Sequence, residues 1–147
     1  MSIRRKSREM ALQALFCMDV LDDDSEELIE ELCSLLKPSD KVSPFGLDLV
    51  RGVVGHKAEI NSRLAEASSN WKLARMDYVD RNIIRIAVYE ILFCDDIPPR
   101  VAINEAVDIG KKYGTEKSGA FINGILDSIR QKYCSPEAEA EGINDGE

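Results

Sequence analysis

An all-α fold is what this 147-residue sequence predicts, on three observations. Apolar residues recur at helical spacing along nearly the whole chain, and no stretch alternates apolar and polar residues over a strand's length. Serine, aspartate, proline and glycine fall where helices would start and stop. The first helix is expected over about 3–20, with Leu12, Leu15 and Phe16 on one buried stripe and a basic cluster on its first turns. Asp22, Asp23 and Asp24 form an acidic turn. Ser25 can cap a second helix whose apolar face is Leu28, Ile29, Leu32, Leu35 and Leu36, and Pro38 ends it. Ser43-Pro44 opens a long third helix, because serine accepts a free backbone N–H and proline at the first helical position loses no hydrogen bond. Its stripe of Leu49, Val50, Val53, Ile60 and Leu64 runs to Ser68-Ser69-Asn70, after which Trp71 plugs the core. Asp77 caps the most apolar segment, Tyr78 to Phe93, where apolar residues cover most of the circumference, so that helix is central. The stiff turn from Asp95 to Arg100 leads to a helix bearing Val101, Ala102, Ala106, Val107 and Ile109 and closed by Gly114. The last helix is expected over about 116–133, with Phe121, Ile122, Ile125, Leu126 and Ile129 facing inward. The acidic stretch 134–147 has little to bury and is expected to be disordered.

Length and composition suit one domain with its own core. Hydrophobic residues make up 44% and charged residues 31%, and no apolar run approaches the ~20 residues that span a bilayer. The N-terminus has no separate apolar segment or cleavage signal, so a soluble cytoplasmic protein is expected. Cys17, Cys33, Cys94 and Cys134 are far apart and never form a C-x-x-C pair, and His56 is the one histidine. That spacing argues against zinc and for free thiols packed as small core hydrophobes in a reducing compartment.

The net charge of −8 hides a segregation. Arg4, Arg5, Lys6 and Arg8 crowd the start against Glu9 alone, whereas Glu137, Glu139, Glu141, Asp145 and Glu147 occupy the end without a base. Phosphate binding depends on the local field, so a basic patch on an acidic body is compatible with nucleic acid. Catalysis is poorly supported: no Cys/His pair at suggestive spacing, no nucleophile elbow and no dinucleotide fingerprint is present. The segment Gly114-Thr115-Glu116-Lys117-Ser118-Gly119 has the residue types of a phosphate loop, but a Walker loop needs glycines where Lys111 and Glu116 stand. Its helix start and lysine could still donate to an RNA phosphate. The basic run lies beside Gln13 and Phe16 on the first helix, where an amide and a ring can meet base edges and faces. A solvated terminus and a core-packing Phe16 are the competing structural readings.

Three segments carry a family resemblance. Val79-Asp80-Arg81-Asn82-Ile83-Ile84-Arg85-Ile86-Ala87-Val88-Tyr89-Glu90-Ile91-Leu92, then Asp96-Ile97-Pro98-Pro99-Arg100-Val101-Ala102-Ile103-Asn104-Glu105-Ala106-Val107, then Gly114-Thr115-Glu116-Lys117-Ser118-Gly119-Ala120-Phe121-Ile122-Asn123-Gly124-Ile125-Leu126-Asp127 resemble the NusB family of transcription antitermination factors in order and spacing. The opening Arg4–Phe16 is similar to the family's arginine-rich first helix, so the likeness covers roughly residues 3–133. It implies a seven-helix fold of two abutting helical bundles, about 1–70 and 71–133, within one domain over 1–133. It also implies a non-enzymatic factor without cofactors that binds boxA-type single-stranded RNA together with NusE, a small-subunit ribosomal protein, in a complex on RNA polymerase. By matched position Arg4, Arg5, Lys6 and Arg8 would hold RNA, with Gln13, Phe16, Lys117 and Phe121 near the same face. Phe16 departs from the tyrosine common there and lacks its hydroxyl. Asp80 and Ile84 would face NusE, while Asn104 and Glu105 match a hallmark whose role is open between binding and bracing. Arg5 and Arg8 lie outside the apolar stripe, so their replacement is expected to weaken RNA binding with little loss of stability. A ribosomal RNA methyltransferase carrying a NusB-like module would need a further α/β domain, which this length does not accommodate. A scaffold that binds protein alone is the remaining alternative.

Overall fold

The computed structural model describes residues 2–36 and 43–134. Pro38, expected to end the second helix, lies outside them, as do residues 135–147 of the acidic tail. Seven α-helices and one 3-10 turn make up the described residues: α1 (Ile3–Leu21), α2 (Glu26–Leu36), α3 (Ser43–Gly55), α4 (Lys57–Ala67), the turn Leu73–Arg75, α5 (Tyr78–Phe93), α6 (Pro99–Tyr113) and α7 (Ser118–Tyr133).

The ends of these helices follow from their capping chemistry. Ser2 Oγ accepts from the Arg5 N–H at 2.9 Å, Ser25 Oγ from Leu28 at 3.2 Å and Asp77 Oδ1 from Asp80 at 2.7 Å. Asp22 ends α1 in the left-handed region, at φ 52°, and its N–H returns to Asp19 and Met18. Pro99 opens α6 and Gly114 caps it.

The expected long third helix is two helices. The chain breaks at His56, whose backbone leaves helical geometry (φ −117°, ψ 16°). Its ring lies against Phe93, centroids 4.2 Å apart, and its Nδ1 is 2.9 Å from the Gly52 carbonyl oxygen. The break lets α3 pack on α1, α2 and α5 while α4 turns to α5 and α7, directions that one straight helix cannot serve. Gly52 is required here: a Cβ at that position would lie 2.1 Å from Cζ of the Tyr89 ring, so only glycine lets α3 approach α5 this closely.

Helix α5 is central, touching α1, α3, α4, α6 and α7. Its buried side chains include Asn82, Arg85 and Glu90 as well as apolar ones. Buried ions need partners, and Asp19 supplies one set. It accepts from Arg81 Nε at 2.7 Å, Asn82 Nδ2 at 2.9 Å and Arg85 at 3.3 Å, tying α1 to α5. Burial pulls the Asp19 pKa upward, but these bonds prevail and hold it below the usual carboxylate range. Trp71 is buried in the core as expected. Two apolar assignments are corrected: Leu35 is 77% exposed and Phe16 is 37% exposed, so the buried stripe of α1 is Leu12, Leu15 and Met18. All four cysteines are free thiols, with Cys33 buried and the other three partly exposed. No helix among the described residues is long and apolar enough to cross a membrane.

Candidate nucleic-acid interface

The basic start of α1 is largely neutralised from within. Arg8 is 1% exposed, and its Nε and Nη2 donate to the Glu90 carboxylate at 3.1 and 2.7 Å. Its Nη1 reaches Glu105 Oε1 at 3.0 Å. Arg5 Nε donates to the same Glu105 oxygen at 2.8 Å, and its Nη2 reaches Asp108 at 3.0 Å. The hydrogen bond from Arg5 outweighs burial and keeps Glu105 below the ordinary glutamate pKa. Arg4 stands over the Phe45 ring at 4.8 Å and donates to Asp96 at 3.3 Å. The expectation that Arg8 reaches RNA from the surface is therefore corrected: its guanidinium joins α1 to α5 and α6 inside the protein. The expectation that losing Arg5 and Arg8 leaves stability intact is at odds with these ion pairs, which both substitutions would break. Arg4 and Arg5 keep some exposed edge, and Lys6, exposed on the outer face of α1, makes no ion pair among the described residues.

The outer stripe of α1 carries Lys6, Gln13 and Phe16, seven and three residues apart and hence on one face, with the buried Glu9 between the first two. Gln13 is exposed. Phe16 meets Tyr78, the first residue of α5, edge to face with centroids 5.9 Å apart. Arg81 lies over the Tyr78 ring at 4.3 Å. About two turns of α1 before Phe16, Glu9 accepts from Lys112 Nζ at 3.0 Å and from the Tyr113 hydroxyl at 2.9 Å, fixing the end of α6 beside the stripe. Phe16, Tyr78 and Tyr113 are 37%, 40% and 36% exposed. Helices α1, α5 and α6 thus present three half-open rings around an amide and a lysine, an array suited to stacking unpaired bases. Tyr78 and Tyr113 were not singled out in the sequence; each sits at a helix end beside a charged residue, which is the one signal that marks them.

Lys117 is exposed at the N-cap of α7, and Phe121 is half-buried on its first turn. This start is held by its own loop, where Ser118 Oγ accepts from the Thr115 N–H at 2.8 Å. Asp80 is mostly buried, its Oδ1 has no hydrogen-bond partner, and burial raises its pKa. Ile84 is 0% exposed in the core, which corrects its expected place on a partner-facing surface. Among the described residues no group of three or more His, Cys, Asp or Glu side chains is placed to hold a metal.

Fold and site together define an all-helical binding protein whose open face combines amide, aromatic and cationic groups. The chain matches the model of the NusB family over residues 5–131 and belongs to that family. It is 50% identical over 142 residues to the transcription antitermination protein NusB of Desulfosudis oleivorans, covering 95% of this chain and 92% of the relative. The NusB protein of Geobacter sulfurreducens is 47% identical over 130 residues, covering 88% of this chain and 94% of the relative. Among solved structures, T. maritima NusB superposes with a TM-score of 0.80 at 37% identity, covering 92% of this chain and 95% of that one. A structure of antitermination factors NusB and NusE in complex with dsRNA matches with a TM-score of 0.78 at 30% identity, covering 90% of this chain and 99% of that one.

Proposed function

We propose that this chain is a non-enzymatic transcription antitermination factor of the cytoplasm that binds boxA-type RNA together with NusE, in a complex on RNA polymerase. The observation that carries the RNA reading is the open face on which Phe16, Tyr78 and Tyr113 surround Gln13 and Lys6. Lys6, Gln13, Phe16, Lys117 and Phe121 are its RNA-facing residues, with the exposed edges of Arg4 and Arg5 at the margin. NusE and RNA accompany NusB in one of the structural relatives, which supports the pairing.

That relative's RNA is double-stranded, whereas half-open rings favour bases that are splayed from a strand. We therefore assign single-stranded RNA as the ligand of this face. Asp80, a nearly buried carboxylate with one oxygen unpartnered, is the group we place at the NusE contact, where a donor from the partner would satisfy it. The test is filter binding of single-stranded RNA, of the same sequence as a duplex, and of duplex DNA, each with and without NusE. Tightest binding to the single strand, improved by NusE, is expected; equal or tighter binding to either duplex overturns the assignment. Binding of NusE with no RNA bound in any form would favour the protein-only scaffold.

A further inference from the structure

A cation already holding a carboxylate adds little to phosphate binding, so uncommitted cations mark where an anion can sit. Arg100, Lys111 and Lys117 make no ion pair among the described residues, and all three lie on α6 or at the start of α7. Between these two helices is a cavity of about 170 Å³ lined by Arg100, Ile103, Asn104, Asn123, Asp127 and Arg130.

Asn104 and Asn123 stand in helix interiors, where asparagine disfavours the helix because its side chain competes for backbone partners. Neither caps a helix, both are exposed, and among the described residues neither side chain has a hydrogen-bond partner. Two carboxamides facing one cavity offer donors and acceptors that nothing in the fold uses. The one carboxylate present is already engaged: Asp127 accepts from Arg130 Nε at 3.1 Å and from Gln131 at 2.9 Å. At the other end of α6 Lys111 crosses the first turn of α7, where a Cβ on Gly119 would lie 3.1 Å from its Cε. The helix rises roughly 16 Å between Arg100 and Lys111, room for several nucleotides and more than a single ion needs.

We propose that the α6/α7 groove is a second single-stranded RNA subsite, taking nucleotides that flank the segment held on the α1/α5 face. Asn104 and Asn123 pair with a base edge, as asparagine does with the donor–acceptor edge of adenine, and Arg100 and Lys111 take phosphates. The inference rests on the RNA reading above. An extended peptide would also pair with two asparagines, but the uncommitted charge here is positive and lies next to Lys117 of the proposed RNA face.

The test uses the full chain with NusE and three RNAs: a boxA-type oligonucleotide, and the same oligonucleotide lengthened by a few nucleotides at either the 5′ or the 3′ end. One extension should raise affinity several-fold and steepen the slope of log affinity against log salt by about 0.7 per added phosphate contact. Arg100→Ala and the double variant Asn104→Ala/Asn123→Ala should abolish that gain while leaving the short RNA bound as before, with unchanged helicity by circular dichroism. No gain from either extension, or a gain that survives in folded variants, overturns the subsite. Variants that keep the gain but lose affinity for NusE overturn it also and assign the groove to protein. If the short RNA itself does not bind, the RNA reading fails and this inference falls with it, a result separable from loss of the extension effect alone.

Discussion

Arg8 shows how one side chain can belong to a surface motif by sequence and to the core by structure. Its guanidinium is held by Glu90 and Glu105 with 1% exposure, so Arg8→Ala leaves the buried Glu90 charge without its main partner. Such a loss costs about 3–5 kcal/mol, whereas replacing both ions by apolar residues of similar volume is often near neutral. Arg8→Ala should therefore lower stability in urea unfolding by that amount, and Arg8→Met/Glu90→Met should recover much of it. A single variant as stable as the wild type would contradict the network. Glu105 adds a pH dependence. Its pKa is lowered on folding, so its contribution is complete above the unfolded value of about 4.3 and is lost as pH falls through the folded value. Glu105→Gln should be less stable than the wild type at pH 7 by about 2 kcal/mol, with the gap closing below about pH 4. Asp80 has the opposite sign. Its raised pKa destabilises the folded state once pH exceeds the ordinary aspartate value, so Asp80→Asn should gain stability at neutral pH and nothing in acid. The same substitution should weaken NusE binding if Asp80 meets the partner; unchanged affinity in titration calorimetry would remove it from that contact.

At the scale of elements, capping residues and apolar periodicity made most helix boundaries legible: Ser25, Asp77 and Gly114 act at the positions their chemistry predicts, whereas Pro99, expected in the turn, opens α6. The break at His56 was not legible, because Leu49 to Leu64 keeps one helical period across it and the cause is tertiary, the stacking of His56 on Phe93 and the turn of α4 toward α7. Gly52→Ala tests that packing. Its methyl would meet the Tyr89 ring, and overpacking of this kind costs about 1–3 kcal/mol, read as a lower urea midpoint at unchanged slope. The binding face was half legible. Lys6, Gln13 and Phe16 could be read from one helix, but Tyr78 and Tyr113 join them only when α5 and the end of α6 come to lie beside α1. Ion pairing was the hidden variable for the arginines, since Glu90, Glu105, Asp96 and Asp108 are about 80 to 100 residues away in sequence.

For the molecule as a whole, an acidic chain of net charge −8 can bind RNA because its cations divide into two sets. One set, including Arg8 and Arg85, joins helices through buried ion pairs; the other, including Lys6 and Lys117, stays exposed and uncommitted among the described residues. Affinity should then depend on stacking more than on the arginine-rich run, with a shallow salt slope for its cation content. The most direct measurement is the affinity of boxA-type single-stranded RNA, in the presence of NusE, for the wild type and for Phe16→Ala/Tyr78→Ala. Base stacking on an aromatic ring is worth about 1–3 kcal/mol, so the folded double variant should bind at least roughly thirty-fold more weakly. Wild-type affinity in that variant would contradict the account and return the RNA contact to the exposed edges of Arg4 and Arg5.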